Sequence, residues 1–218
     1  MATRDIPNKD LPNVDLTFPH HWTAEILPAR PLILPKRVFI YPRAAEEIER
    51  GALEVLVHPT GKSALNENVD QSAPFITRPA PQSSGIDSFL ATCALGFADP
   101  AAPTGIWSCP DLSWLCAVSG GYAYLIDTTH PERFEQVEYR PVLEVHVLRE
   151  HALLLFVGHH SLLAWGANGK AWQTARLSAE GVTVIGIEGD LLHGTGWDLL
   201  TDTDIPFTIN LLNGRRLE

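Results

Sequence analysis

The side chains in this 218-residue sequence that could do chemistry are its nine histidines and a set of aromatic residues flanked by glycine. His159 and His160 are adjacent, so on a strand they point to opposite sides and share one metal ion only if a turn rotates one of them. His146 and His151 are separated by an expected turn and could approach each other or His193, with Asp190 or Asp198 as a carboxylate ligand. No spacing among them is diagnostic, and the expectation is surface or hydrogen-bonded histidines with no metal and no cofactor. Asp198, Asp202 and Asp204 share only their acidity with a calcium loop, because its glycine and terminal glutamate are missing. Thr60-Gly61-Lys62-Ser63 follows an apolar run and imitates the end of a phosphate-binding loop, but Leu56 stands where the first glycine belongs. Ala117-Val118-Ser119-Gly120-Gly121 imitates a nucleophile elbow, yet the strand-like run Tyr122-Ala123-Tyr124-Leu125-Ile126 follows where a helix is required.

Three glycine segments remain: Gly120-Gly121-Tyr122, Gly158-His159-His160 and Gly194-Thr195-Gly196-Trp197. The first two begin at positions 120 and 158, 38 residues apart, as do Leu115 and Leu153, and Phe134 and Trp172. The third follows Gly158 by 36 residues, at position 194. A period of this size is what several short strands and their turns occupy. Loops at equivalent positions of a repeat emerge on one face, so Tyr122, His159, His160, Trp197 and Asp198 are the candidate binding residues. The opposite face is expected to collect 128–133, Asn168-Gly169, Asp202 and Asp204.

The elements that must position these residues are short strands. Residues 142–148, 153–157, 162–165 and 171–177 form the clearest unit, and Asn168-Gly169 between its last two runs is the strongest hairpin signal in the chain. Further strands are expected over 37–41, 53–57, 122–126, 134–139, 182–187, 191–193 and 206–212. The run 89–97 is either a buried strand or a short helix. One short helix is expected near 43–50, after Pro42 and before Gly51. Residues 1–35 carry six prolines and form an extended N-terminal strap; its Phe18, Trp22, Ile26, Leu27, Leu32, Ile33 and Leu34 should place much of it against the core. Residues 72–85 read as a linker or surface loop.

The expected fold is therefore a single mainly β domain over 1–218, built from antiparallel four-stranded repeats in the region 106–215. Over that region the chain resembles β-propeller proteins, whose blades are four-stranded units of about 40 residues. Trp197-Asp198 and the phrase Ile205 to Gly214 resemble blade-closing segments, although no Gly-His pair opens each unit and Gly120-Gly121 is a lone double glycine. The resemblance implies a ring of four or more blades, with residues 32–108 supplying one or two degenerate ones. A β-sandwich or open curved sheet is the alternative, since neither requires closure.

Composition narrows the function. A net charge of −10 opposes binding to a phosphate backbone, so no nucleic-acid partner is expected. No apolar run approaches the ~20 residues of a membrane helix, and the first residues lack a signal-peptide core, so the expectation is a cytoplasmic protein with no membrane partner. Three cysteines are too few and too odd in number for a disulfide framework. The functional expectation is a non-enzymatic interaction or scaffold module that binds a protein or small ligand through one loop face. The alternative is a small-molecule-binding protein or metal-assisted hydrolase using His159, His160, His193 and Asp198. The apolar N-terminal arm also leaves a homodimer open.

Overall fold

The structure is a computed structural model that describes residues 12–43, 45–60, 87–97 and 102–217, without the side chains of residues 45–47. Most of the phosphate-loop imitation, at 61–63, and the linker over 72–85 lie outside these residues. The chain is mainly β and forms four sheets. In the first, β2 (Trp22–Leu27), β4 (Ala52–Pro59), β5 (Phe89–Ala94) and β3 (Val38–Tyr41) lie side by side in that order. The second runs β1 (Asn13–Asp15), β6 (Gly105–Ser108), β7 (Trp114–Ser119), β8 (Tyr122–Asp127) and β9 (Phe134–Gln136). The third is the meander β10 (Glu144–Leu148), β11 (Leu153–Val157), β12 (Leu162–Gly166) and β13 (Gly169–Gln173). The fourth repeats it as β14 (Val182–Glu188), β15 (Leu191–Asp198), β16 (Thr203–Asn210) and β17 (Arg216–Leu217). Pairing is antiparallel except at β1 with β6 and β3 with β5.

The sheets stack face to face in this order, and each interface has its own core. Trp22, Val55, Phe89, Ala117, Tyr124 and Ile126 fill the first interface. Trp107, Val118, Leu125, Leu154, Phe156 and Trp165 fill the second. Leu155, Val157, Leu162, Trp172, Leu192 and Phe207 fill the third. This geometry explains why β11 reads Leu-Leu-Leu-Phe-Val without polar alternation. Leu154 and Phe156 face the second sheet while Leu155 and Val157 face the fourth, so both sides of the strand are buried. Each such fully buried side chain contributes about 1.5–3 kcal/mol relative to exposure. Among the described residues the last sheet has one covered face, and its strands return to alternation: β15 reads intermediate, buried, intermediate, buried from Leu191 to Gly196. Among the described residues, no core cluster joins the first sheet to the fourth.

Several elements depart from the sequence reading. The short helix near 43–50 is a 3₁₀ helix over Ala45–Arg50, ended by the Gly51 N–H on the Ile48 carbonyl at 3.0 Å. Six residues offer too few hydrogen bonds to offset α-helix nucleation. Residues 89–97 resolve as the fully buried strand β5 followed by an irregular end. The strap divides: β1 joins the second sheet, β2 joins the first, and Phe18 between them is buried in the second core. Leu32 and Ile33, in contrast, are 104% and 90% exposed and lie off the core.

Candidate functional site

Because consecutive strands within each sheet alternate in direction, the turns β7–β8, β11–β12 and β15–β16 fall at one end of the stack, together with the linkers between sheets. Gly120 and Gly121 carry the first turn with φ of +54° and +77°, the left-handed region that glycine enters without penalty. That turn is fixed to the preceding sheet, since the Gly96 N–H donates to the Ser119 carbonyl at 3.0 Å and the Phe97 N–H to that of Gly120 at 2.8 Å. Tyr122 leaves the turn edge-on to Phe97, with ring centroids 5.6 Å apart, and the Arg140 guanidinium lies 4.9 Å above its ring. An aromatic face attracts a cation at this distance.

From Arg140 the contacts continue across the end. Tyr139 lies over Gly158, where a side chain would collide with its ring, and its hydroxyl donates to the Ser161 carbonyl. Burial raises the Tyr139 pKa, and the hydrogen bonds at its oxygen oppose that rise. The His160 carbonyl accepts the Leu177 N–H at 2.7 Å, and its Nδ1 is 3.3 Å from the Ser178 carbonyl. Ser178 then bridges to the last sheet, where its Oγ accepts the Trp197 N–H at 2.8 Å. Asp198 closes the line: its Oδ2 accepts the Thr201 hydroxyl at 2.8 Å and the Thr201 N–H at 3.1 Å. The Thr201 hydroxyl is the main reason the Asp198 carboxyl lies below its usual pKa.

Tyr122, His159, His160, Trp197 and Asp198 therefore share one end of the molecule, along a surface that crosses three sheets. The third segment is nevertheless not a loop. Gly194, Thr195, Gly196 and Trp197 lie inside β15, and the turn follows at 199–202. Gly194 serves packing there, since a Cβ would stand 2.5 Å from the Phe207 ring and 2.6 Å from the Thr183 carbonyl oxygen. Asp202 and Asp204 are also at this end and not the opposite one: the Asp202 N–H donates to the Asp198 carbonyl at 2.9 Å, and Asp204 pairs with Trp197.

Of the histidines of the metal alternative, His159 and His160 lie together with ring centroids 6.0 Å apart, and His193 is set apart from them. His193 is in mid-strand, 3.1 Å from the Thr208 hydroxyl, while His160 sits in a turn of the neighbouring sheet. His146 pairs with Glu144 at 2.8 Å and lowers its pKa by that hydrogen bond. His151 meets Asp190 at 3.0 Å, at the opposite end. Among the described residues no group of three or more His, Cys, Asp or Glu side chains is placed to hold a metal ion.

The same end presents residues that the sequence reading passed over. Leu199 and Leu200 at the β15–β16 turn are 72% and 95% exposed, and Phe97 beside Tyr122 is 44% exposed. A signal for this turn in the sequence is the Asp198-to-Thr201 spacing, in which the Asp198 side chain caps a turn that carries both leucines. A cleft of about 620 Å³ adjoins Arg140 between the outer strands of the second and third sheets. Its floor is Val137, Leu163 and Trp165, and Glu138 and Lys170 line its walls. No protein-family model matches the chain, and no curated protein matches it. Among the described residues no helix is long and apolar enough to cross a membrane.

Proposed function

We propose that this chain is a propeller-like, non-enzymatic binding module that holds a protein partner through the end carrying Tyr122, His159, His160, Trp197 and Asp198. The observation that carries the reading is the exposed apolar tip of this end, Leu199-Leu200, on a turn held by Asp198 and Thr201. A tip already ordered by its own hydrogen bonds loses little further entropy when it enters a partner's groove. Phe97, Tyr122 and Arg140 add an aromatic and cationic cluster on the same end, the residue types that dominate interface energetics. The propeller-like description is supported by the repetition of a four-stranded antiparallel meander in the third and fourth sheets.

The experiment is quantitative capture of proteins from the source cell by the full chain, beside a Leu199→Ser/Leu200→Ser variant and a Tyr122→Ala variant of unchanged circular dichroism. A partner retained by the wild type and lost by both variants supports the reading. Identical sets captured by all three proteins refute it.

A further inference from the structure

The outward face of the first sheet, which belongs to none of the three cores, contains a buried carboxylate. Glu54 on β4 stands opposite Thr92 on β5 and is 6% exposed. The Thr92 hydroxyl, itself fully buried, donates to Glu54 Oε2 at 2.7 Å. Oε1 receives no hydrogen bond among the described residues. Its nearest cation among the described residues is the Arg30 guanidinium at 3.9 Å, outside hydrogen-bonding distance, on a side chain that is 38% exposed. These two groups are its partners among the described residues, and a carboxylate taken out of water needs close donors to offset its desolvation.

Glu54 and Thr92 line a cleft of about 590 Å³, within the size range of small-molecule sites. Leu27, Pro28 and Ile48 give it an apolar side, and Glu49 adds a second carboxylate at an exposed position. This combination fits a compact cation on a hydrocarbon stem. We propose that the cleft is a binding site for a primary alkylammonium group, whose nitrogen takes the place of Arg30 at Glu54 Oε1 while its methylenes cover Leu27, Pro28 and Ile48. A guanidinium is planar and broad, whereas an ammonium is a point donor that reaches a single carboxylate oxygen beside Thr92. The net charge of −10 raises the local concentration of such cations. The group can come from a free diamine or from a lysine side chain of another protein.

The test is calorimetric titration of the full chain at low salt with 1,5-diaminopentane and, separately, with Nα-acetyl-lysine methylamide. Saturable binding of either probe by the wild type is expected, and whichever binds identifies the source. Glu54→Gln, which keeps an oxygen for the Thr92 hydroxyl, should weaken binding by about tenfold or more, as expected for loss of a buried charge partner. Arg30→Ala should strengthen binding several-fold, because it removes the resident competitor. A purely structural Arg30–Glu54 pair would instead give Arg30→Ala a lower melting temperature and no gain in affinity. The proposal is overturned if neither the wild type nor Arg30→Ala binds either probe saturably, or if folded Glu54→Gln binds as tightly as the wild type. Should Glu54→Gln fail to fold, the direction of the Arg30→Ala change decides the matter.

Discussion

Truncating one residue in an interior sheet and one on the last sheet should have very different costs, because among the described residues the four sheets form a stack whose final face is uncovered. Leu155 on β11 is fully buried between the third and fourth sheets. Leu155→Ala removes its transfer energy and leaves a cavity, a combined cost of about 2–5 kcal/mol. For a chain of this size each kcal/mol lowers the melting temperature by about 2–4 °C, so the drop should be roughly 4–20 °C. Ile185 on β14 is 67% exposed and sits at the bulge between Val184 and Gly186. Ile185→Ser should change stability by no more than about 0.5 kcal/mol, as surface substitutions usually do. Urea unfolding followed by far-ultraviolet circular dichroism measures both, with the wild-type slope as a check that the same transition is compared. The stacking account fails if Leu155→Ala costs less than about 1 kcal/mol, since a packed aliphatic cannot be removed so cheaply. It also fails if Ile185→Ser is as costly as Leu155→Ala, because the outer face would then be covered in solution.

Further predictions concern particular groups. Gly194→Ala should destabilise by about 1–3 kcal/mol through overpacking against Phe207 and the Thr183 carbonyl, and an unchanged urea midpoint would contradict that packing. Cys93, Cys109 and Cys116 are free and buried, and burial pushes all three thiols up in pKa. A thiol reagent at pH 8 should therefore label none of them in native protein and all three in denaturant; rapid labelling without denaturant would contradict their burial. Asp198, lowered in pKa by the Thr201 hydroxyl, supports its turn above the unfolded carboxyl pKa and loses that support as pH falls through the folded value. Carbon-detected nuclear magnetic resonance should show the Asp198 titration moving up toward the ordinary range in Thr201→Ala, and an unmoved titration would contradict the assignment.

How far the sequence could be read depended on which signal marked each element. The third sheet was legible almost strand by strand, because a strand buried on both faces is a plain apolar run and Asn168-Gly169 lies at its last hairpin, whose two turn residues are Ala167 and Asn168 with Gly169 opening β13. The fourth sheet was misread at its turn. Its strands β14 to β16 are seven or eight residues long where those of the third sheet are five, so the repeat spacing that aligns Gly158 with Gly194 falls in mid-strand. The true turn has no glycine, and Asp202 takes the left-handed position at φ +55°. Glycine spacing therefore points to a loop at 194–197, away from the exposed pair Leu199-Leu200, and places Asp202 and Asp204 at the end opposite the one they occupy. The grouping of Tyr122, His160 and Trp197 at one end followed from the repeat spacing. Their connection through Tyr139, Arg140 and Ser178 did not, because these residues lie in linkers whose paths no periodicity reports. The buried Glu54 was equally hidden, a single acid in an otherwise apolar strand whose outward face the sequence does not identify.

The measurement that most directly tests the central claim is hydrogen–deuterium exchange on the complex with whichever partner the leucine-pair variant fails to capture. Protection concentrated at residues 95–97, 119–122, 158–161 and 197–202 is the predicted result. Protection at the opposite end, over 128–133, 149–152 and 189–190, with those turns unchanged, would contradict it.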